Sequence, residues 1–226
     1  MMIATDSQHY TDIADAIRGR NKKETRYKPV EMPEAIENIS TARELVEQTV
    51  SGEIYSEVTS IRSSLFDYCR ELTGVSFPNA TSIGSYSFRG CSGLTTMNFP
   101  QVTKLGGYSF QSCSRIKSVR MPKLAAVGTA DFYGMSAVMT LDFPSVTSIG
   151  GSCFNNCRNL TALILRSETM VTLSSVGGFT GTPIASGTGY IYVPSALIDT
   201  YKAATNWATF ADQFRAIEDY PDITEG

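Results

Sequence analysis

Apolar residues return along the middle of the chain with a period of 22 residues, set by Phe66, Phe88, Phe110, Phe132 and Phe154. The same offset collects Cys69, Cys91, Cys113, Met135 and Cys157, then Leu72, Leu94, Ile116, Val138 and Leu160. It also gathers Val75, Met97, Val119, Leu141 and Leu163, and after them Phe77, Phe99, Met121, Phe143 and Leu165. Pro78, Pro100, Pro122 and Pro144 follow directly, and Ile61, Ile83, Leu105, Val127 and Ile149 complete the set. So many columns over five copies mark a repeat architecture. One coil cannot bury its apolar face alone, so stacking makes the core and the ends need caps.

Within one unit, Leu94-x-x-Met97-x-Phe99 has the L-x-x-L-x-L spacing of a leucine-rich repeat. Alternation at Met97 and Phe99 predicts a short strand with one buried face. Proline has no N–H for a neighbouring strand, so each strand stops at the same point. Each coil therefore adds one short parallel strand, with strands about 4.8 Å apart, and the stack is a curved solenoid. The Phe and Cys columns point inward from the opposite wall. Gly84, Gly106, Gly128 and Gly150 share a turn suited to a positive φ, a column in which the first coil has Arg62.

The ends follow other patterns. Tyr10, Ile13, Ala14 and Ile17 share one face of a first helix that Asp6 or Ser7 can cap and Gly19 can end. A second helix begins near Pro33 and runs from Glu34 to Ile39. The six basic residues of RGRNKKETRYKP between them read as a solvated loop, since no aromatic platform accompanies them. ELVEQTV supplies an atypical first strand. LILRSETMVTL continues the sheet, and GYIYVP returns to strand spacing with Pro194 in the stopping position. SALIDTYKAATNWATFADQFRAI predicts one or two amphipathic helices, whose Leu197, Ile198, Tyr201, Trp207, Phe210 and Phe214 form a lid over the last coil. The expected organisation is a helical element over 1–45, a solenoid over 46–194 and a helical cap over 195–226.

Composition narrows the chemistry. The chain has 226 residues, 42% hydrophobic and 18% charged, with a net charge of −3. That average conceals −4 over residues 1–57, +6 over 58–166 and −5 over 167–226. No apolar run approaches the ~20 residues of a membrane-spanning helix, and the opening segment is too polar for a signal peptide. The single histidine, His9, stands in no motif, which argues against His-based metal or triad chemistry. No cofactor, metal or nucleic-acid partner is expected. Four of the five cysteines share one column in which Met135 also stands, so reduced packing thiols are expected rather than disulfides. Cys153, one residue before the Phe column, is expected to be the exposed thiol.

The strand residues that point away from the core are the binding candidates. They are Gly74, Thr96, Ser118, Thr140 and Ala162 in one column and Ser76, Asn98, Arg120, Asp142 and Ile164 in the next. Arg120 and Asp142 are expected as lateral neighbours in a surface pair of little energetic weight. Arg115, Lys117, Arg120 and Lys123 make the third coil the most basic. The partner-binding set is Thr96, Asn98, Ser118, Arg120, Lys123, Thr140 and Asp142. Tyr86 and Tyr108 share a column at the turn and are expected to be partly buried.

Two stretches, IGSYSFRGCSGLTTMNFP (83–100) and IGGSCFNNCRNLTALIL (149–165), resemble the BspA-type, or Treponema-type, leucine-rich repeats. IYVPSALIDTYKAATNWATFADQF resembles the segment that often closes such arrays. YTDIADAIRGRN with YKPVEMPEAIENI resembles the start of surface and phage-tail-like proteins of gut Firmicutes. The resemblance implies non-enzymatic recognition, with adhesion to proteins or cells at a bacterial or virion surface, and the expected partner is a protein or a glycan. The alternative it implies is a phage-tail-like assembly subunit docking through residues 1–45. Position 135 departs from the pattern with Met for Cys, and position 166 with Arg for Pro.

Overall fold

The structure is a computed structural model that describes residues 58–224. The two N-terminal helices, the basic loop between them, the strand expected at ELVEQTV and His9 all lie outside the described residues.

Each coil contributes two strands rather than one. In chain order they are β1 (Ser60–Ile61), β2 (Gly74–Ser76), β3 (Ser82–Ile83), β4 (Thr96–Asn98), β5 (Lys104–Leu105), β6 (Ser118–Arg120) and β7 (Ala126–Val127). They continue as β8 (Thr140–Phe143), β9 (Ser148–Ile149), β10 (Ala162–Leu165), β11 (Thr172–Leu173), β12 (Tyr190–Val193) and β13 (Phe214–Ala216). The odd strands β1 to β11 form a six-stranded parallel sheet. The others form a five-stranded sheet, β6-β8-β10-β12-β13, and a two-stranded one, β2-β4. A two-residue segment such as Ser82–Ile83 has no alternation to betray it. It becomes a strand because like segments on both sides, β1 and β5, pair with its backbone. From β2 to β10 no strand of the second series passes the proline column.

Side chains of one column touch across coils. Phe66, Phe88, Phe110, Phe132 and Phe154 are fully buried and stack with ring centroids 5.1, 5.2, 5.8 and 6.3 Å apart. Offset or parallel contacts in this range favour aromatic pairs beyond their buried area. Phe179 extends the row, 5.3 Å from Phe154. The cysteines are reduced and buried. Cys91, Cys113 and Cys157 donate Sγ–H to the carbonyls of Phe66, Phe88 and Phe132 in the preceding coil at 3.0, 3.1 and 3.0 Å.

The glycine column does not carry the positive φ. That conformation falls two residues later, at Tyr86 (60°), Tyr108 (63°), Ala130 (53°) and Ser152 (55°). A non-glycine residue there costs roughly 1–2 kcal/mol, offset by lateral bonds such as Tyr86 N–H to Gly107 O at 3.1 Å and Tyr108 N–H to Thr129 O at 3.0 Å. Glycine is required for a different reason. A Cβ on Gly84 would lie 2.8 Å from the carbonyl carbon of Arg62, and one on Gly106 2.8 Å from that of Gly84. Backbone is packed against backbone.

The cap is less helical than expected. It holds one α-helix, α1 (Ile198–Ala203), and 3-10 turns over Ser195–Leu197 and Trp207–Gln213. Asn206, at φ 67°, breaks the helix between them. Phe214 belongs to β13, which pairs with β12 with Ile191 opposite Phe214, because the edge of β12 would otherwise stay open. The expected lid is present all the same, as Tyr201, Trp207, Phe210 and Phe214 are buried in the main core. It also satisfies the last odd strand. Trp207 Nε1–H donates to Val171 O at 2.7 Å, Val171 N–H to Tyr201 Oη at 2.8 Å and Asn206 Nδ2–H to Leu173 O at 2.7 Å.

Gly84→Ala or Gly106→Ala is expected to lower stability by about 1–3 kcal/mol, the usual range for forcing atoms into a packed core. Gly151→Ala, with nothing within 4 Å of its Cβ, should leave stability unchanged or slightly raised, all three variants being compared by urea unfolding.

Candidate functional site

The second series of strands turns two columns of side chains away from the core. Parallel register places Ser118 beside Thr140 and Arg120 beside Asp142, and likewise Gly74 beside Thr96 and Ser76 beside Asn98. Thr96, Asn98, Ser118, Arg120 and Lys123 are exposed, Thr140 is half-buried and Asp142 is buried. Asn98 Nδ2–H donates to Ser76 Oγ at 3.1 Å. Lys123 lies past the proline column, where its ammonium donates to Gln101 Oε1. Six of the seven candidates thus fall on β4, β6 and β8, with Lys123 beyond them.

Arg120 and Asp142 are more than a surface pair. Arg120 Nε–H donates to Asp142 Oδ2 at 3.0 Å, and Arg166 adds Nε–H to Oδ1 at 3.0 Å and Nη2–H to Oδ2 at 3.1 Å. Two guanidinium groups hold one buried carboxylate, an arrangement in which each charged bond is worth more than a solvated contact. The Arg120 side chain is 51% exposed. Its terminal NH2 groups have no hydrogen-bond partner among the described residues. Arg166 was not among the candidates, although its place in the proline column was the signal for it.

The outward face closes at its far end. Ala162, Ile164 and Tyr192, which continue the two outward columns, form a second apolar cluster under Ile217 and Ile223. Tyr220 meets Tyr192 edge-on at 5.2 Å. The C-terminal segment therefore lies across β10 and β12. Its Ile217, Tyr220 and Ile223 are spaced by three, in keeping with the 3-10 turns Ile217–Asp219 and Pro221–Thr224, but only the structure shows where they dock.

The turn side carries a separate row. Tyr86 and Tyr108 are half-buried as expected and stack at 5.1 Å. The Arg89 guanidinium lies 4.6 Å from the Tyr86 ring and 4.9 Å from that of Tyr68. Asp67 binds it through both oxygens, at 2.8 and 2.7 Å, which raises the Arg89 pKa further. With its charge matched inside the row, Arg89 acts as a strut.

Among the described residues no group of three or more His, Cys, Asp or Glu could hold a metal ion. No helix among them is long and apolar enough to cross a membrane. One buried polar column remains, and it went unrecognised in the sequence: Ser87, Ser109, Asp131 and Cys153, directly before the phenylalanines, all fully buried. Cys153 is therefore not the exposed thiol, because its Sγ–H points inward to Gly150 O at 3.2 Å. Ser87 Oγ–H reaches Gly84 O at 2.7 Å and Arg62 O at 2.8 Å, and Ser109 Oγ–H reaches Gly106 O and Gly84 O. These side chains tie the glycine turns of successive coils together.

Asp131 has no proton to give and reverses the pattern. Its oxygens accept from Gly128 N–H at 2.7 Å and Ser109 N–H at 3.2 Å. The amides of Gly106 and Gly150 instead donate to Ile83 O and Val127 O in the preceding coil. Burial pushes the Asp131 carboxyl up to about 6 against the pull of those amides. An unfolded Asp titrates near 3.9, so the charged form is disfavoured in the fold. Stability is then full below about pH 4 and falls as pH rises towards 6. Asp131→Ser, the residue of the two preceding coils, is expected to remove that fall. It should add on the order of 2 kcal/mol at pH 7 and little at pH 4, measured by denaturant unfolding.

Comparison with known proteins agrees with this architecture. The family described as "BspA type Leucine rich repeat region" matches residues 49–176 in six copies. No curated protein matches the chain. A solved leucine-rich repeat protein of T. pallidum is 20% identical, with a TM-score of 0.46 over 63% of this chain and 75% of that one. One from Bacteroides ovatus is 27% identical, with a TM-score of 0.44 over 52% of this chain and 34% of its own. A leucine rich cell surface protein of Faecalibacterium prausnitzii is 23% identical, with a TM-score of 0.38 over 50% and 38%. The chain thus spans little more than a third of the latter two. With more than half its length matched as tandem copies that coincide with the stacked coils, the chain belongs to the BspA type leucine-rich repeat family.

Proposed function

We propose that the chain is a non-enzymatic protein-recognition module that binds through the outward face of β4, β6 and β8, in adhesion or receptor binding at a bacterial or phage surface. Leucine-rich repeat proteins are generally protein-binding scaffolds, which is the coarse form of this reading. The observation that carries it is the outward row itself. Ser118, Arg120 and Thr140 are held at fixed lateral spacing by the paired strands β6 and β8, Thr96 and Asn98 are held in the same way against β2 in the separate two-stranded sheet, and all of them point away from the core. Arg120 supports it most, since an exposed arginine braced by a buried carboxylate is pre-organised to meet a partner with little further entropy cost.

The expected absence of cofactor and metal belongs to the same proposal. The alternative, a phage-tail-like assembly subunit docking through residues 1–45, draws support from the opening segment's resemblance to tail-like proteins. Under that alternative the face would be dispensable.

The purified protein, probed on arrays of bacterial and host surface proteins and of glycans, should give hits on proteins. Arg120→Glu with Lys123→Glu should weaken those hits at least tenfold while the thermal transition stays in place. Hits that persist unchanged through both charge reversals would remove the face from the account.

A further inference from the structure

Beyond the proposed binding strands, the outward side of the same sheet already holds a segment of the chain. Residues 217–223, Ile-Glu-Asp-Tyr-Pro-Asp-Ile, lie over the outward side of β10 and β12 outside the main core. Ile217 and Ile223 pack on Ala162, Ile164 and Tyr192, Tyr220 stands edge-on to Tyr192, and Glu218 accepts from Ser195 N–H at 3.0 Å. The segment is short, and three of its seven residues are carboxylates.

Register decides what borders it. Asp142 lies directly opposite Ile164 on the adjacent strand, so the Arg120–Asp142–Arg166 cluster adjoins the covered apolar patch. Two guanidinium groups share one carboxylate there, leaving net positive charge and unused N–H groups beside apolar surface. The coils from residue 58 to 166 carry +6, whereas the chain after them carries −5. Charge and apolar surface together favour a ligand like the segment itself.

We infer that the face binds a short protein segment that, like residues 217–223, folds in 3-10 turns with a large apolar or aromatic side chain at every third position and carboxylates between them. The chain's own residues 217–223 are a built-in occupant that such a partner displaces. This rests on the reading of the outward face as the binding surface. A tethered segment competes at an effective concentration in the millimolar range, so the partner must bind strongly or arrive when the segment is loosened. An anionic polysaccharide would satisfy the arginines and leave Ala162, Ile164 and Tyr192 without apolar contacts.

The probe is a labelled synthetic peptide, Ile-Glu-Asp-Tyr-Pro-Asp-Ile, titrated by fluorescence anisotropy against the full chain. Tyr220→Ser with Ile223→Ser should bind it at least tenfold more tightly than the unaltered chain. In that loosened background, replacing the peptide's carboxylates by amides, or adding Arg120→Glu, should each cost at least tenfold. On the unaltered chain, saturating peptide should remove hydrogen-exchange protection from residues 217–223 only, a readout that does not depend on any variant folding. Absence of both the tightening and the deprotection overturns the inference, as does a heparin fragment that displaces the segment as well as the peptide does. Array binding that is lost with Arg120→Glu and Lys123→Glu, without peptide binding or deprotection, would retain the face and discard this partner chemistry.

Discussion

The structure depends on one constraint: along the six-stranded sheet, from β1 to β9, the backbone of each coil lies against the next in the same register, every 22 residues. Gly84 and Gly106 have no side chain because the preceding turn occupies that space. The phenylalanines stack ring on ring, and the cysteine thiols reach back to the phenylalanine carbonyls one coil earlier. Serines tie the glycine carbonyls of adjacent turns. Apart from the serine bonds to the glycine of their own turn, these contacts join one coil to another, so each coil is stable only as the partner of another.

The proposed function follows from what that constraint leaves over. Inward positions are fixed by their columns, whereas outward strand positions are free to vary from coil to coil, and here they do. The row Ser76, Asn98, Arg120, Asp142, Ile164 and Tyr192 passes from small and polar, through a braced arginine cluster, to an apolar patch under the C-terminal segment. Rigid spacing comes from strand pairing, within β2-β4 and again from β6 onward, and chemical identity from the row. The carboxylate of Asp142 serves both, since it is buried at the strand and orients two arginines above it.

Most of the solenoid was legible because each inward column repeats one side-chain class five times. What escaped did so for physical reasons. A two-residue strand such as Ser82–Ile83 has no period, and its pairing comes entirely from its neighbours. The glycine column looked like a φ requirement, but the demand was for space, and only the preceding coil reveals that. Ser87, Ser109, Asp131 and Cys153 share no side-chain class, only their reach to the glycine turn. Phe179 lies 25 residues after Phe154, so a three-residue insertion hid its place in the ladder. Phe214 has helical spacing from Phe210, yet the open edge of β12 drew it into a strand. At the proposed binding face, six of the seven candidate residues stand on β4, β6 and β8. Arg166 was visible as a departure from proline, but its carboxylate partner lies two strand columns away in sequence and adjacent only in space. The segment 217–223 spaces its apolar residues by three, which is the period of its 3-10 turns but does not say which surface they cover.

The central claim is that the coils and the cap form one cooperative unit through their shared columns, which is what holds the outward row rigid. Native-state hydrogen exchange under increasing denaturant tests it most directly. The amides of Val119, Leu141, Leu163 and Val171 should exchange with one common free energy and one common denaturant dependence, equal to those of global unfolding. Stepwise exchange, with coils opening in sequence at separate free energies and the cap detached from them, would contradict it.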